Sequence, residues 1–120
     1  MDVVFHEPDR VNLLGYFLRD LLKTKVSTVD GREKAAKIKG TIRFVAGEMA
    51  CTATFSTRQI EISSKQSLAF NAQIRGELSG LVDIALGASY VQYLLLNRVK
   101  IKGDISILFR VVSLFKAETA

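Results

Sequence analysis

His6 and Cys51 are the single histidine and single cysteine of this 120-residue chain, so any neutral-pH base or thiolate nucleophile would have to be one of them. His6 stands ahead of the first helical pattern, with no neighbour fixed in sequence that would orient it as a base. Cys51 shares a strand face with Met49, Ala53 and Phe55, where a neutral thiol is a small apolar filler and inert. The carboxylates Glu7, Asp9 and Asp20 fall on or near a polar helix face, and no glycine-rich phosphate cradle accompanies them. No Cys/His spacing of the kind that holds zinc occurs. The residue types therefore offer no acid, base and nucleophile set: no enzyme, no metal site and no cofactor are expected.

Charge is the second candidate chemistry. The chain carries 17 basic and 12 acidic residues, a formal net charge of +5. Residues 1–30 hold four basic against five acidic side chains, so the surplus lies in the remainder. Two clusters stand out: Arg32, Lys34, Lys37, Lys39 and Arg43, and the alternating Arg98, Lys100 and Lys102. Both fit solvated strand faces. A nucleic-acid surface needs aromatic side chains interleaved with the charges for stacking, and the outward strand positions supply none, so nucleic acid is not the expected partner. Transient attraction to an anionic membrane surface needs only the charge.

These residues are positioned by elements of two periods. Pro8 to Lys23 repeats at helical spacing through Val11, Leu14, Leu18, Leu21 and Leu22, widened by Leu13 and Phe17, and predicts an amphipathic helix. Thr24 to Glu33 reads as a loop, with Asp30-Gly31 a turn signal. From Lys37 the period becomes two: Ile38, Ile42 and Phe44 oppose Lys37, Lys39, Thr41 and Arg43. A turn at Ala46-Gly47-Glu48 leads into a strand over Met49 to Phe55, then strands over Gln59 to Ser63 and Leu68 to Ile74. The helical period returns through Leu78, Leu81, Val82, Ala85 and Leu86, with a second short helix expected after Ser89. Val99 and Ile101 define a fifth strand ended by Gly103, and Asp104 is a good N-cap for a last helix, Ile105 to about Lys116. The expectation is one α+β domain over residues 1–120, its core at about 8–116: a five-stranded mixed, mostly antiparallel sheet with helices packed on one face.

The chain is 48% hydrophobic, an ordinary globular value, and its mass of 13.3 kDa implies about 6,500 Å² of folded surface. The first residues lack the basic and apolar stretches of an export signal, and the longest unbroken apolar run is Tyr93 to Leu96. A soluble protein of a reducing, cytoplasmic compartment is expected.

What the elements do not absorb is apolar surface. In the last helix Ile105, Leu108, Phe109, Val112 and Phe115 form one stripe and Ile107, Val111 and Leu114 a second, leaving a narrow polar seam at Ser106, Arg110 and Ser113. Leu78, Leu81, Val82, Ile84, Leu86, Val91, Leu94, Leu95 and Leu96 load the preceding pair similarly. One face of a five-stranded sheet covers only part of this. The surplus packs helix on helix, forms a homodimer or partner interface, or lines a cavity for an apolar ligand.

At Val99-Lys100-Ile101-Lys102-Gly103-Asp104 a basic alternating strand closes in Gly-Asp and runs into an apolar helix. With Ile74-Arg75-Gly76-Glu77-Leu78-Ser79-Gly80-Leu81, where a strand runs into a helix, and the element order over roughly 35–116, this resembles the lipid-binding domains of the sterol carrier protein type 2 family. Leu94 to Asp104 is similar also to stand-alone bacterial relatives that act as accessory proteins of ubiquinone biosynthesis. The resemblance implies a hydrophobic tunnel between helices and sheet for a sterol, a fatty acyl chain or a prenylquinone-type lipid, held and released without catalysis. Leu14, Phe17, Leu18, Phe70, Leu81, Ile84, Leu94, Leu108, Phe109, Val112 and Phe115 would line or flank it. Asn97-Arg98 and Ser67-Leu68-Ala69 depart from the family's usual glycine and Ala-Asp at those places, and the chain ends Glu118-Thr119-Ala120 without a peroxisomal tripeptide.

Overall fold

Alternating residues and two tight turns place three strands side by side, and the rest of the sheet is assembled from segments distant in sequence. The computed structural model describes residues 2–7, 11–64, 69–77 and 99–115. Its elements are β1 (Asp2–Phe5), α1 (Leu13–Val26), α2 (Val29–Ala36), β2 (Gly40–Ala46), β3 (Met49–Phe55), β4 (Gln59–Ser63), β5 (Ala72–Gly76), β6 (Val99–Gly103) and α3 (Ile105–Phe115). The expected helical pair after Gly76, residues 78–98, lies outside the described residues, as does Lys116.

The sheet is mixed, in the order β1-β4-β3-β2-β5-β6. The antiparallel pairs β2–β3, β3–β4 and β5–β6 join neighbours in the chain's strand order, whereas β2–β5 and β1–β4 are parallel. The α+β class holds, but there are six strands, not five. The additional strand is Asp2–Phe5, which pairs Val3 with Ile60 and Phe5 with Ile62. Four residues are too few for a period to show, and the partner strand lies more than fifty residues away.

Three boundaries differ from the sequence reading, each for a local reason. Helix α1 begins at Leu13, not Pro8, because the Oδ1 of Asn12 accepts the Gly15 N–H at 3.0 Å and caps it. The expected loop is largely helix α2: the Oγ1 of Thr28 accepts the Gly31 N–H at 3.0 Å, Asp30 occupies the first turn, and Asp30 pairs with Lys34 at 3.3 Å. The glycine of Asp30-Gly31 serves close approach instead of a turn, since a Cβ there would stand 1.7 Å from the Lys25 carbonyl oxygen. Strand β5 starts at Ala72, not Leu68, because Asn71 leaves the ladder to bond sideways: its N–H donates to the Thr41 carbonyl and its Oδ1 accepts the Thr41 N–H, both at 2.8 Å.

Among the described helices, α1 and α3 lie on one face of the sheet and α2 packs against both. Leu14, Leu18, Leu22 and Val26 of α1, at four-residue spacing, pack with Ile107, Leu108, Val111, Leu114 and Phe115 of α3 onto the sheet residues Ile42, Phe44, Cys51, Ala53, Phe55, Ile60, Ile62, Ala72 and Ile74. The Phe44 and Phe115 rings meet at 6.2 Å between centroids. Arg110 donates to the Lys37 carbonyl at 3.1 Å and fastens α3 beside α2. The accessible surface is 6720 Å², in line with the mass scaling.

Candidate functional site

The apolar layer between α1, α3 and the sheet is where the expected ligand-lining residues gather. Leu14 and Leu18 come from α1, Leu108, Val112 and Phe115 from α3, and all five are buried in the one continuous core. Phe17 packs against that core half-buried. Phe109 lies on the far flank of α3, 50% exposed, with Ile105 one turn earlier at 54%. Phe70 stands apart: it is half-buried, and the Arg43 guanidinium lies 5.8 Å from its ring centroid. Arg43 alternates with the core residues Ile42 and Phe44, so its strand position belongs to the other face of the sheet. The chain leaves the ladder at Asn71, which lets Phe70 reach Arg43 although its parity in sequence matches Ala72 and Ile74. Leu81, Ile84 and Leu94 lie outside the described residues.

Two clefts open among the described residues. One, of about 420 Å³, runs beside Val3, Val4 and the end of α1, with Asp2, Lys23 and Arg32 on its rim. The other, of about 490 Å³, lies where β2 and β5 end, between Ala46, Gly47, Arg75, Gly76 and Glu77. Neither includes a residue expected to line a ligand cavity. The second borders the point at which the chain enters the apolar stretch 78–98.

Asn12 and Asn71 hold the layer in place, and the sequence reading singled out neither. Besides capping α1, Asn12 donates from Nδ2 to the Ala50 carbonyl at 3.0 Å and from its backbone to the Ser64 Oγ at 3.1 Å, so one residue ties the helix start to β3 through its side chain and to Ser64, just past β4, through its backbone. The Asn71 carbonyl accepts the Asp104 N–H at 2.9 Å, joining β2, β5 and the start of α3 at one residue. Asp104 in turn accepts from the Ser106 N–H at 2.9 Å and the Ser106 hydroxyl at 2.7 Å, and the hydroxyl bond leads the influences that hold its carboxyl below the usual range. An Asn ahead of an apolar periodic run is a readable capping signal for Asn12. Nothing local marks Asn71, whose partners are thirty residues away on either side.

The cysteine and the histidine lie in different settings. Burial pushes the Cys51 thiol up to about 12, leaving it protonated and unreactive. His6, 42% exposed, sits 3.8 Å from Glu7 and 3.9 Å from Glu61 on the outer end of β1. Among the described residues no three His, Cys, Asp or Glu side chains form a metal-binding group, and no helix is long and apolar enough to cross a membrane.

Comparison with known proteins supplies the remaining observation. The model of the SCP-2 sterol transfer family matches residues 18–116. No curated protein matches in sequence. Among solved structures, the ubiquinone synthesis protein UbiJ-SCP2 superposes with a TM-score of 0.70 at 16% identity, covering 86% of this chain and 93% of that one. Sterol carrier protein domain 2 of Helicoverpa armigera superposes with a TM-score of 0.68 at 12% identity, covering 84% of each chain. Apo sterol carrier protein 2 of Yarrowia lipolytica gives 0.62 at 12% identity, covering 87% of this chain and 88% of that one. At such identities these likenesses speak for the fold.

Proposed function

The chain belongs to the SCP-2 sterol transfer family, and from that premise we propose that it binds and carries a hydrophobic ligand without catalysing a reaction. The observation that carries the reading is the apolar load of α3. Its buried stripe, Ile107, Leu108, Val111, Val112, Leu114 and Phe115, satisfies the sheet, while Ile105 and Phe109 extend apolar surface past the contact with the described elements. The stretch 78–98, rich in leucine, joins β5 to β6 in the sequence. A cavity bordered by this flank and the sheet would hold a sterol, a fatty acyl chain or a prenylquinone-type lipid. Binding would draw on apolar burial at about 25 cal/mol per Å² less the cost of association. The likeness to a ubiquinone synthesis protein supports the prenylquinone class as one ligand to test.

Carriage without chemistry fits the residues. The cysteine is held neutral, the histidine is exposed among carboxylates, and the described polar side chains near the core cap helices and stitch strands. The test is native mass spectrometry of the protein as purified, followed by organic extraction and lipid identification. A lipid or quinone near one per chain is the expected result. An empty monomer that also refuses a fluorescent fatty acid would refute carriage, and an empty dimer would assign the flank of α3 to self-association.

A further inference from the structure

The outermost strand of the sheet presents an edge that lipid carriage does not use. Among the described residues β1 and β6 are the two strands with a partner on one side only. Lys100 and Lys102 stand on β6, a usual guard against strand addition, whereas β1, Asp2–Phe5, carries neither lysine nor proline. In a parallel pair, alternate residues of a strand bond to the neighbour. The Asp2 N–H donates to the Arg58 carbonyl at 3.2 Å and the His6 N–H to the Ile62 carbonyl at 2.8 Å, so the even-numbered residues face β4. The N–H and C=O of Val3 and Phe5 therefore point away from β4, and no described residue bonds to them there. The side chains of both lie on the core side of the strand. The cleft of about 420 Å³ runs past Asp2, Val3 and Val4 toward the end of α1.

We propose that the free edge of β1 pairs antiparallel with β1 of a second copy of this chain, about a twofold axis through Val4. In that register Val3 faces Phe5 of the second copy and Phe5 faces its Val3, so the outward N–H groups of each copy meet the outward carbonyls of the other. A slip of two residues in either direction keeps only one of these two bonded pairs within Asp2–Phe5. The side chains agree with the same register. Val3 and Phe5 meet across the joint on the core side, while on the opposite side Val4 meets Val4 and Asp2 meets His6, a carboxylate opposite an imidazole. The strand is thus complementary to itself, as an isologous contact requires. Helix α1 lies over β1, β4 and β3, so the two α1 helices would stand about 14 Å apart, three strand spacings between the β4 strands, clear of the roughly 8–10 Å of packed helices. Lys23 and Arg32 flank the cleft in each copy and repel across the axis, which keeps the association weak. The contact stands independently of lipid carriage, because it requires no ligand inside the protein.

The experiment is analytical ultracentrifugation of the full chain over a range of concentrations. Wild type should pass from monomer to dimer as concentration rises. Val3→Pro deletes an N–H that faces away from β4, so β1 keeps its own ladder while two intermolecular bonds are lost, and association should weaken at least about tenfold. Val3→Ala loses the same side chain but keeps the N–H, and should associate as wild type does. Circular dichroism reports that both variants fold. On mild oxidation Val4→Cys should crosslink two chains, because position 4 meets itself at about 4.5 Å between Cα atoms. Asp2→Cys, roughly 14 Å from its copy, should not crosslink. Cys51 is buried and does not compete. Undiminished association of Val3→Pro, or equal crosslinking at positions 2 and 4, overturns the proposal. A wild type monomeric at every concentration overturns it too, leaving the edge and its flanking cations to an extended acidic segment of another protein. A dimer lost in Phe109→Asp but kept in Val3→Pro overturns it in favour of the α3 flank. Lipid uptake, measured separately, judges carriage in every case.

Discussion

Replacing Asn12 isolates the joint that sets α1 over the sheet. In Asn12→Ala the Gly15 N–H loses its cap, at a cost of about 1 kcal/mol, and the Ala50 carbonyl loses the Nδ2 donor, about another 1 kcal/mol because the group is partly buried. Asn12→Ser keeps a capping oxygen but is too short to reach Ala50, so it should lose about 1 kcal/mol only. The backbone bond from Asn12 N–H to Ser64 survives in both. For a chain of 120 residues an unfolding entropy of roughly 250 cal/mol/K makes each kcal/mol worth about 4 °C in Tm, giving drops near 8 °C for Asn12→Ala and near 4 °C for Asn12→Ser. Urea unfolding and thermal melts followed by circular dichroism read both. An Asn12→Ala protein within about 0.5 kcal/mol of wild type would refute the joint, and equal losses in the two variants would refute the separation of cap from strap.

Three further outcomes follow from the same structure. Gly103→Ala places a Cβ 2.4 Å from the Asn71 carbonyl oxygen at φ +93°, whereas Gly47→Ala at φ +60° meets nothing within 4 Å; thermal melts should show a loss of about 3 kcal/mol or more for the first and about 1 kcal/mol for the second, and equal losses would contradict the close approach. The Cys51 thiol titrates at about 12 in the folded chain against 9.0 otherwise. Between those values the folded state keeps a proton that the unfolded state releases, so Cys51 makes stability fall with rising pH by up to about 1.4 kcal/mol per unit above pH 9; the slope should be shallower by that contribution in Cys51→Ala, and thiol reagents should label wild type only on unfolding. Phe109→Asp changes a half-exposed side chain, so the chain should fold as wild type yet lose at least tenfold in uptake of fluorescent fatty acid; unchanged uptake would remove the α3 flank from the ligand site.

Where local signals decide a conformation, the chain is readable. The alternation of Ile42 and Phe44 with Thr41 and Arg43, the turn at Gly47, and the apolar spacing of Leu14, Leu18 and Leu22 each report an element whose core face is set by its own residues. The apolar excess of Ile105 to Phe115 likewise points to the layer in which Leu108, Val112 and Phe115 are buried. Legibility fails where a partner is distant. Asp2–Phe5 becomes a strand only because β4 offers an edge, position 31 is glycine because the Lys25 carbonyl leaves no room for a Cβ, and Phe70 moves beside Arg43 because Asn71 is captured by Thr41.

The sequence by itself determined the α+β class, the inward place of Cys51 and the resemblance to a lipid-carrying family, since composition and short-range period are properties of the chain alone. Only the tertiary structure decided the sixth strand, the parallel pairing of β2 with β5 and the outward turn of Val3 and Phe5. Those two residues face away from β4 because Asp2 and His6 bond to Arg58 and Ile62, distant in the chain, through backbone hydrogen bonds between strands whose register no local pattern records.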